Sequence, residues 1–324
     1  MRIEATFIGS FPRPRSLMRA IGRFMGGKIS RDELEYHYRR ALSSTLAKLV
    51  RTGIASGTDC MFRWDDPLTP ITQGLKGAKL NGLYRFFNNN FYYRVPIIEG
   101  RVELSKDLVS DWYERALRCA KELGVKYEVR PAIPGPLTLA LLSEDRFYSS
   151  REELVKEYSR VMLKIVDNLR SLGARRVEVH EPALTWRKWK NITYAYEALE
   201  ELGRSAGLEV WILTYFKYRN PKALLPLLEE ELTVGLDLVE NFDMLDRLEN
   251  LLNDTKLVVG VVDSRNTRME QMNDIKRIVR RLESLGIKEA YLTPNTHLEF
   301  LPEVVAYRKL RLLVRAAREG RSVR

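Results

Sequence analysis

The sequence predicts an α/β protein built as a single (β/α)8 TIM barrel, with a long aromatic-rich insertion after strand 2. Three features predict it. Short runs of β-branched and aliphatic residues alternate with amphipathic helical stretches, the signature of parallel βαβ units. About eight such units fill the 324 residues, as a (β/α)8 barrel requires. The runs also stop repeatedly at clusters of polar residues, and a barrel carries its chemistry at those strand ends. A doubly wound open sheet is the alternative. It would carry a glycine-rich phosphate loop after its first strand, whereas the turn here, GSFPRPR, holds a single glycine. One domain over 1–324 is therefore expected, although a prior of ~150 residues per domain would suggest two.

The first apolar run, Ile3–Ile8, turns at Gly9-Ser10-Phe11-Pro12. A helix follows from Arg31 to about Arg51, with Ser30 as N-cap and Glu33 completing a capping box. The second run is Ile54–Thr58. The connection after it, from about Thr58 to Lys106, contains NGLYRFFNNNFYYRVPIIEGRVELS and ends in a hairpin. Loops of this length in a domain are usually functional or interface elements, and Tyr84 to Tyr93 read as a partner-facing segment. The third run, Tyr127–Ile133, precedes a helix from about Arg151 to Leu172. The fourth, Arg176–His180, precedes one from about Tyr194 to Leu202. The fifth, Leu208–Tyr215, leads to a helix near Pro221–Glu229. The sixth and seventh are Val234–Val239 and Leu257–Val262, followed by a helix from about Met269 to Leu285. The eighth, Glu289–Leu292, precedes a last helix near Pro302–Glu319.

Composition narrows the function classes. Net charge is +11, from 54 Lys+Arg against 43 Asp+Glu, which favours anionic partners. The basic residues are spread along the chain, no nucleic-acid motif occurs, and the densest basic stretch, RKLRLLVRAAREGRSVR, reads as an amphipathic helix with Leu310, Leu312, Leu313 and Val314 inward. No nucleic-acid partner is expected. No apolar run approaches ~18 residues, so no membrane span is expected either. The opening MRIEATFIGSFPRP lacks a signal pattern, which implies a cytoplasmic protein. Cys60 and Cys119 form no CxxC pair, which excludes a disulfide framework or a zinc knuckle.

The strand ends, taken in order, assemble a polar cup. They are Ser10, Arg13 and Arg15; Asp59, Arg63, Asp65 and Asp66; Pro134-Gly135-Pro136-Leu137-Thr138; His180 and Glu181; Thr214 and Tyr215; Glu240 and Asn241; Asp263, Arg265 and Asn266; and Asn295, Thr296 and His297. His180 and Glu181 read as an acid and a base, with Asp263 as a further catalytic candidate. Arg63 and Arg265 read as clamps for a carboxylate. Substrate or donor contacts are expected from Ser10, Arg13, Arg15, Asp59, Asp66, Tyr215, Glu240, Asn266, Asn295 and His297. Each also has a structural reading: Arg265 and Asp263 as a rim salt bridge, His180 as a satisfied core histidine, Asp59 and Asp66 as turn caps. A metal would have to use His180, Glu181, Glu240 and His297, and the expectation is that none is held.

At this point the strings form an ordered set: IGSFPRP, TDCMFRWD, IPGPLTL, VHEPAL, LTYF, GVVDSRN and LTPNTHLEFLP. Over about residues 5–305 the chain resembles the cobalamin-independent methionine synthases, whose full-length members hold two (β/α)8 barrels. In their catalytic barrel a zinc is bound by a His-x-Cys pair after strand five, a Glu after strand six and a Cys near strand eight. Here strand five ends Leu213-Thr214-Tyr215-Phe216 and strand eight ends Thr293-Pro294-Asn295-Thr296; Glu240 alone matches a ligand position. FNNNFYYRVP, LTYF and GVVDSRN are more similar to the non-catalytic N-terminal barrel. That barrel contacts the methyl donor through an Arg-Glu-Leu-Lys segment, matched here by Arg15-Ser16-Leu17-Met18, which keeps the Arg and lacks the Lys. The resemblance implies no cofactor of its own, an anionic methyl carrier (a folate, a methanopterin or a methyl-corrinoid protein) and a separate catalytic methionine synthase barrel as partner. An independent enzyme acting on a small carboxylate, and a ligand-free scaffold, remain the alternatives.

Overall fold

Alternating apolar runs and amphipathic helices give a mixed α/β fold around a parallel sheet. The computed structural model describes residues 1–89, 91–205, 207–230 and 232–321. In chain order the elements are β1 (Arg2–Ala5), α1 (Arg15–Met25), α2 (Arg31–Thr52), β2 (Ser56–Gly57), α3 (Thr69–Gln73), β3 (Leu75–Arg85), β4 (Tyr92–Leu104), α4 (Leu108–Glu122), β5 (Glu128–Val129), β6 (Ala132–Pro134), α5 (Pro136–Leu142) and β7 (Glu144–Asp145). They continue with α6 (Arg151–Ser171), β8 (Arg176–His180), α7 (Ala183–Trp186), α8 (Thr193–Ser205), β9 (Glu209–Leu213), α9 (Leu225–Glu229), β10 (Thr233–Asp237), α10 (Met244–Arg247), β11 (Lys256–Val262), α11 (Met272–Ser284), β12 (Glu289–Pro294) and α12 (Glu303–Arg321).

Seven parallel strands are ordered β1-β12-β11-β10-β9-β8-β6, and β2 pairs with β5 as a separate two-stranded ladder. The two ladders belong to one continuous arrangement. β5 and β6 are one extended run interrupted at Arg130-Pro131: the Arg130 N–H turns to Gly57 O (2.7 Å), and Pro131 has no N–H to give. On the other side, β1 meets β2 through side chains, with Thr6 Oγ1 donating to Ser56 O (2.8 Å) and Thr58 Oγ1 to Gly9 O (2.6 Å).

The first strand ends at Ala5, before the expected Ile8, because the chain leaves the ladder to enter a tight turn with Gly9 at φ +63°. The second is only two residues long, and its Gly57 is required, because a side chain there would collide with the Phe7 ring and the Tyr127 hydroxyl. α2, α6, α8, α11 and α12 form where the pattern predicts helices, while α1 and α4, of 11 and 15 residues, were not expected. α2 has the full capping box, Glu33 N–H to Ser30 Oγ (3.1 Å) and Ser30 N–H to Glu33 Oε2 (2.8 Å), and stops at Gly53 in the left-handed region at φ +92°. No helix among the described residues is long and apolar enough to cross a membrane.

Between β2 and β5 the chain makes α3, an antiparallel hairpin of β3 and β4 extended by β7, and α4. The main apolar core lies between sheet and helices. A second cluster, Ile8, Trp211, Leu213, Val258 and Tyr291, fills the opposite face of the sheet. Register places Glu178 beside Trp211 and His180 beside Leu213, so these polar side chains share that inner face.

Candidate functional site

The inner face carries a buried charged network whose centre is Glu178. Arg130 Nε donates to Glu178 Oε1 at 2.8 Å, and both side chains are fully buried. Arg130 also donates to Phe7 O (2.7 Å) and lies over the Trp211 ring at 4.1 Å. The second Glu178 oxygen accepts from Gly9 N (2.8 Å) and faces His180 Nε2 (2.9 Å). Burial alone would raise the Glu178 carboxyl; Arg130, His180 and the Gly9 amide outweigh it and hold the group below its usual range. The carboxylate fixes His180 with a proton on Nε2, and His180 Nδ1, buried, has no hydrogen-bond partner among the described residues.

His297 stacks on His180 with ring centroids 5.0 Å apart and planes 24° apart. Ser10 N–H donates to His297 Nδ1 (3.0 Å), so that nitrogen carries the lone pair and Nε2 the proton, 3.5 Å from the Tyr215 hydroxyl. Burial and the neighbouring His180 push His297 well below the usual imidazole range, keeping it neutral. The close approach needs Gly9: a Cβ there would strike the His297 ring. Ser10, His180, Tyr215 and His297 are thus brought together, as the sequence suggests.

A second layer positions the strand-end loops. Glu181 is buried and accepts from Leu137 N (2.9 Å), Thr138 N (2.7 Å) and the Thr138 hydroxyl, so it caps the N-terminus of α5; burial nevertheless pushes it up to about 7. Asp237 accepts from Phe216 N (2.9 Å), Val239 N (3.1 Å), Glu240 N (3.0 Å) and Asn295 Nδ2, and burial pushes it to about 7 as well. Asn295 ties this layer to the next loop by accepting from Ser264 N (3.0 Å).

The cup has a cover. Phe86 and Phe87, at the tip of the β3–β4 hairpin, lie over Phe216 with centroids 6.3 and 6.2 Å away, and Phe87 meets Trp186 at 5.2 Å. Both are at most 5% exposed. Arg265 fastens the hairpin: it pairs with Glu240 and donates to Asn89 Oδ1 (3.3 Å). Only part of the aromatic segment therefore faces outward, namely Leu83, Tyr84 and Tyr92.

Other residues named from the sequence lie elsewhere. Asp263 accepts from Arg265 N (2.8 Å) and from Asn266, holding its own loop. Asp66 is buried and caps the start of α3 through Leu68 N and Thr69 N, both 2.8 Å. Arg13 donates to Phe62 O and Trp64 O, and Arg15 is exposed at the start of α1. Asp59 and Arg63 line a cleft between α2 and α4. Arg130 and Glu178 were missed. Their signal was a charge inside an apolar strand run, with Glu178 two residues from His180 and so on the same face.

The donor set does not fit a zinc. The stacked imidazoles cannot aim two lone pairs at one point, His297 Nδ1 is taken by Ser10, and Glu178 is taken by Arg130. No group of three or more metal-type ligands converges among the described residues. Cys60 follows β2 and Cys119 lies in α4; both are buried, and burial raises both thiols.

Similarity to known proteins points to one family. The family model described as the N-terminal domain of cobalamin-independent synthase matches residues 63–287. The methionine synthase of Saccharolobus solfataricus is 26% identical over 313 residues, covering 95% of this chain and 92% of its own. That of Sulfurisphaera tokodaii is 27% identical over 323 residues, covering 98% and 92%. Among solved structures, a B12-independent methionine synthase from Shewanella in complex with selenomethionine superposes with a TM-score of 0.79 at 18% identity, covering 98% and 97%. A methyltransferase from Methanosarcina mazei gives 0.63 at 11%, covering 99% and 94%. At these identities the structural likeness speaks for the fold.

Proposed function

We infer the function from one premise: the chain belongs to the cobalamin-independent methionine synthase family. On this reading residues 1–324 close as one (β/α)8 barrel with its aromatic insertion folded over the mouth. The barrel serves methyl transfer from a one-carbon carrier to homocysteine, as the cytoplasmic companion of a separate zinc-bearing barrel. The observation that carries the reading is the state of the strand ends. Where a thiol-activating site would need sulfur donors, this chain places Thr214-Tyr215-Phe216 and Asn295-Thr296: the Thr214 hydroxyl donates to Gly235 O, the Asn295 amide bonds Asp237 and Ser264, and the Phe216 ring packs under Phe86 and Phe87.

What remains for this chain is binding and orientation. A groove of about 1000 Å³ between the β1 loop, α2 and the start of α12 is lined by Arg13, Arg15, His37, Arg40 and Lys48 against Glu299 and Glu303. Arg15 and Arg40 are exposed and make no ion pair among the described residues, which suits them to steer an anionic carrier. The outward Leu83, Tyr84 and Tyr92 offer the aromatic kind of surface that partner barrels bury.

The test is reconstitution. Labelled methyl donor and homocysteine are incubated with this chain, with the zinc-bearing barrel, and with both. Methionine formation that requires both chains, and falls in Arg15→Ala or Arg40→Ala through KM for the donor, is expected. Stoichiometric zinc and unaided methionine synthesis by this chain would refute the reading. One observation favours a second reading, an independent enzyme: His180 Nδ1, buried under the cover, has no hydrogen-bond partner among the described residues. Tight binding of homocysteine or a methyl-pterin by the lone chain, seen by isothermal titration, would favour it.

A further inference from the structure

The cleft between α2 and α4 lies outside the strand-end cup and has about 340 Å³ of space, within the range of small-molecule sites. Its walls are Tyr38 and Leu42 of α2, Trp112 of α4 and Phe62 of the loop after β2. Most charges around it are spent on each other. Arg63 pairs with Glu35 at 2.6 Å, Arg115 with Asp111 at 3.1 Å and with Glu35 at 3.4 Å, and Arg118 with Glu114 at 3.1 Å.

Asp59 is the exception. One of its oxygens, Oδ1, accepts from Met61 N (3.0 Å) and supports the turn in which Cys60 and Met61 have φ of 64° and 50°. No ion pair uses the other oxygen among the described residues, and the residue keeps an edge toward the cleft. The carboxyl nevertheless sits deep enough that burial pushes it up to about 6. The second oxygen is thus an acceptor open to an aromatic-walled cleft. Beside it, Arg63 lies over the Tyr38 ring at 4.4 Å, and among the described residues only one of its five N–H groups is committed, to Glu35.

We propose that this cleft binds a flat, neutral nitrogen heterocycle that presents two adjacent N–H donors to Asp59 and a carbonyl acceptor to Arg63. A simple cation would meet Arg39, Arg63 and Arg115, and a simple carboxylate would meet Asp59. A ring with a donor-donor-acceptor edge satisfies both ends at once, while its faces pack on Tyr38, Phe62 and Trp112. The proposal rests on the cleft alone and is independent of methyl transfer.

Isothermal titration of the full chain with guanosine and inosine tests it, because inosine lacks only the exocyclic amine. Guanosine should bind, with inosine weaker by about tenfold, the effect of leaving one carboxylate oxygen unpaired. Asp59→Asn should abolish that difference: its Oδ1 still accepts from Met61 N, so the turn survives while the second acceptor is lost. Trp112→Leu should weaken both nucleosides. No guanosine binding at millimolar concentration, equal binding of the two by the unaltered chain, or a difference that survives Asp59→Asn would each overturn the proposal.

Discussion

Glu181 shows how much a single buried carboxyl can do at a distance. It follows β8, yet its acceptors hold the first turn of α5, whose amides at Leu137 and Thr138 would otherwise be orphaned. Gly135 is required beside it, since a Cβ there would strike the carboxylate. Burial raises its pKa from 4.5 to about 7, so between those values the folded chain keeps a proton that the unfolded chain has lost. The unfolded state then binds fewer protons, and stability falls as pH rises through this window, by roughly 3 kcal/mol from this group. Above about 7 both states are ionised and the contribution stops changing. Glu181→Gln removes the titration. Urea unfolding at several pH values should therefore show the difference between unaltered chain and variant falling from pH 4.5 towards 7 and levelling off above it. Curves that stay parallel would show that Glu181 does not hold its proton in the fold. Glu181 itself was legible as a polar strand end. Its role was not, because its hydrogen-bond partners lie 43 and 44 positions earlier in the chain.

Among elements, α2 and α6 stabilise themselves locally and were legible in the sequence, whereas α4, capped by Asp107 at Ser110 N, was not expected after the long connection. α2 carries its cap within four residues, and α6 starts at Ser150 with its side chain accepting from Glu153 N. Six helices were unforeseen: α1 and α4, with 11 and 15 residues, and α3, α5, α7 and α10, which have only 4 to 7 residues, too few to form alone, two of them depending on caps described above. The β3–β4 hairpin lies between these extremes. A hairpin was expected at the end of the long connection, but nothing in the pattern says that Phe86 and Phe87 fold back over the cup. That cover has a measurable consequence. Of the three histidines, His37 is partly exposed while His180 and His297 are buried beneath the hairpin. Diethyl pyrocarbonate should therefore modify His37 rapidly and the other two slowly, as resolved by peptide mass spectrometry. Phe87→Ala deletes the ring that contacts Trp186 and Phe216 and is expected to cost about 3 kcal/mol, mostly as local opening of the hairpin. Modification of His180 and His297 should speed up in the variant. Unchanged rates at both would mean that the hairpin does not guard the cup.

At the scale of the whole molecule, the weak place is the seam between β1 and the β2–β5 ladder. Elsewhere neighbouring strands exchange backbone hydrogen bonds, which the β-rich runs announced in the sequence. At the seam the task passes to hydroxyls, and no periodicity distinguishes a bridging threonine from a merely buried one. Thr6 Oγ1 donates to Ser56 O at 2.8 Å and accepts from Ser56 Oγ at 3.1 Å, while Arg130 reaches across to Phe7 O. If these side chains close the ring of strands, Thr6→Val should be costly despite its equal shape, because it leaves Ser56 O buried without a donor; about 1–3 kcal/mol is expected. Thr293 supplies the control. It is also fully buried, but its hydroxyl has no partner among the described residues, so Thr293→Val removes no bond seen there and should be neutral or mildly stabilising. Thermal unfolding of the two variants compares the same chemical change at a seam and within a ladder. A lowered Tm for Thr6→Val alone, by a few degrees per kcal/mol, supports side-chain closure. Equal effects would mean that the hydroxyls at the seam are incidental and that the sheet is held in shape by the helices packed outside it.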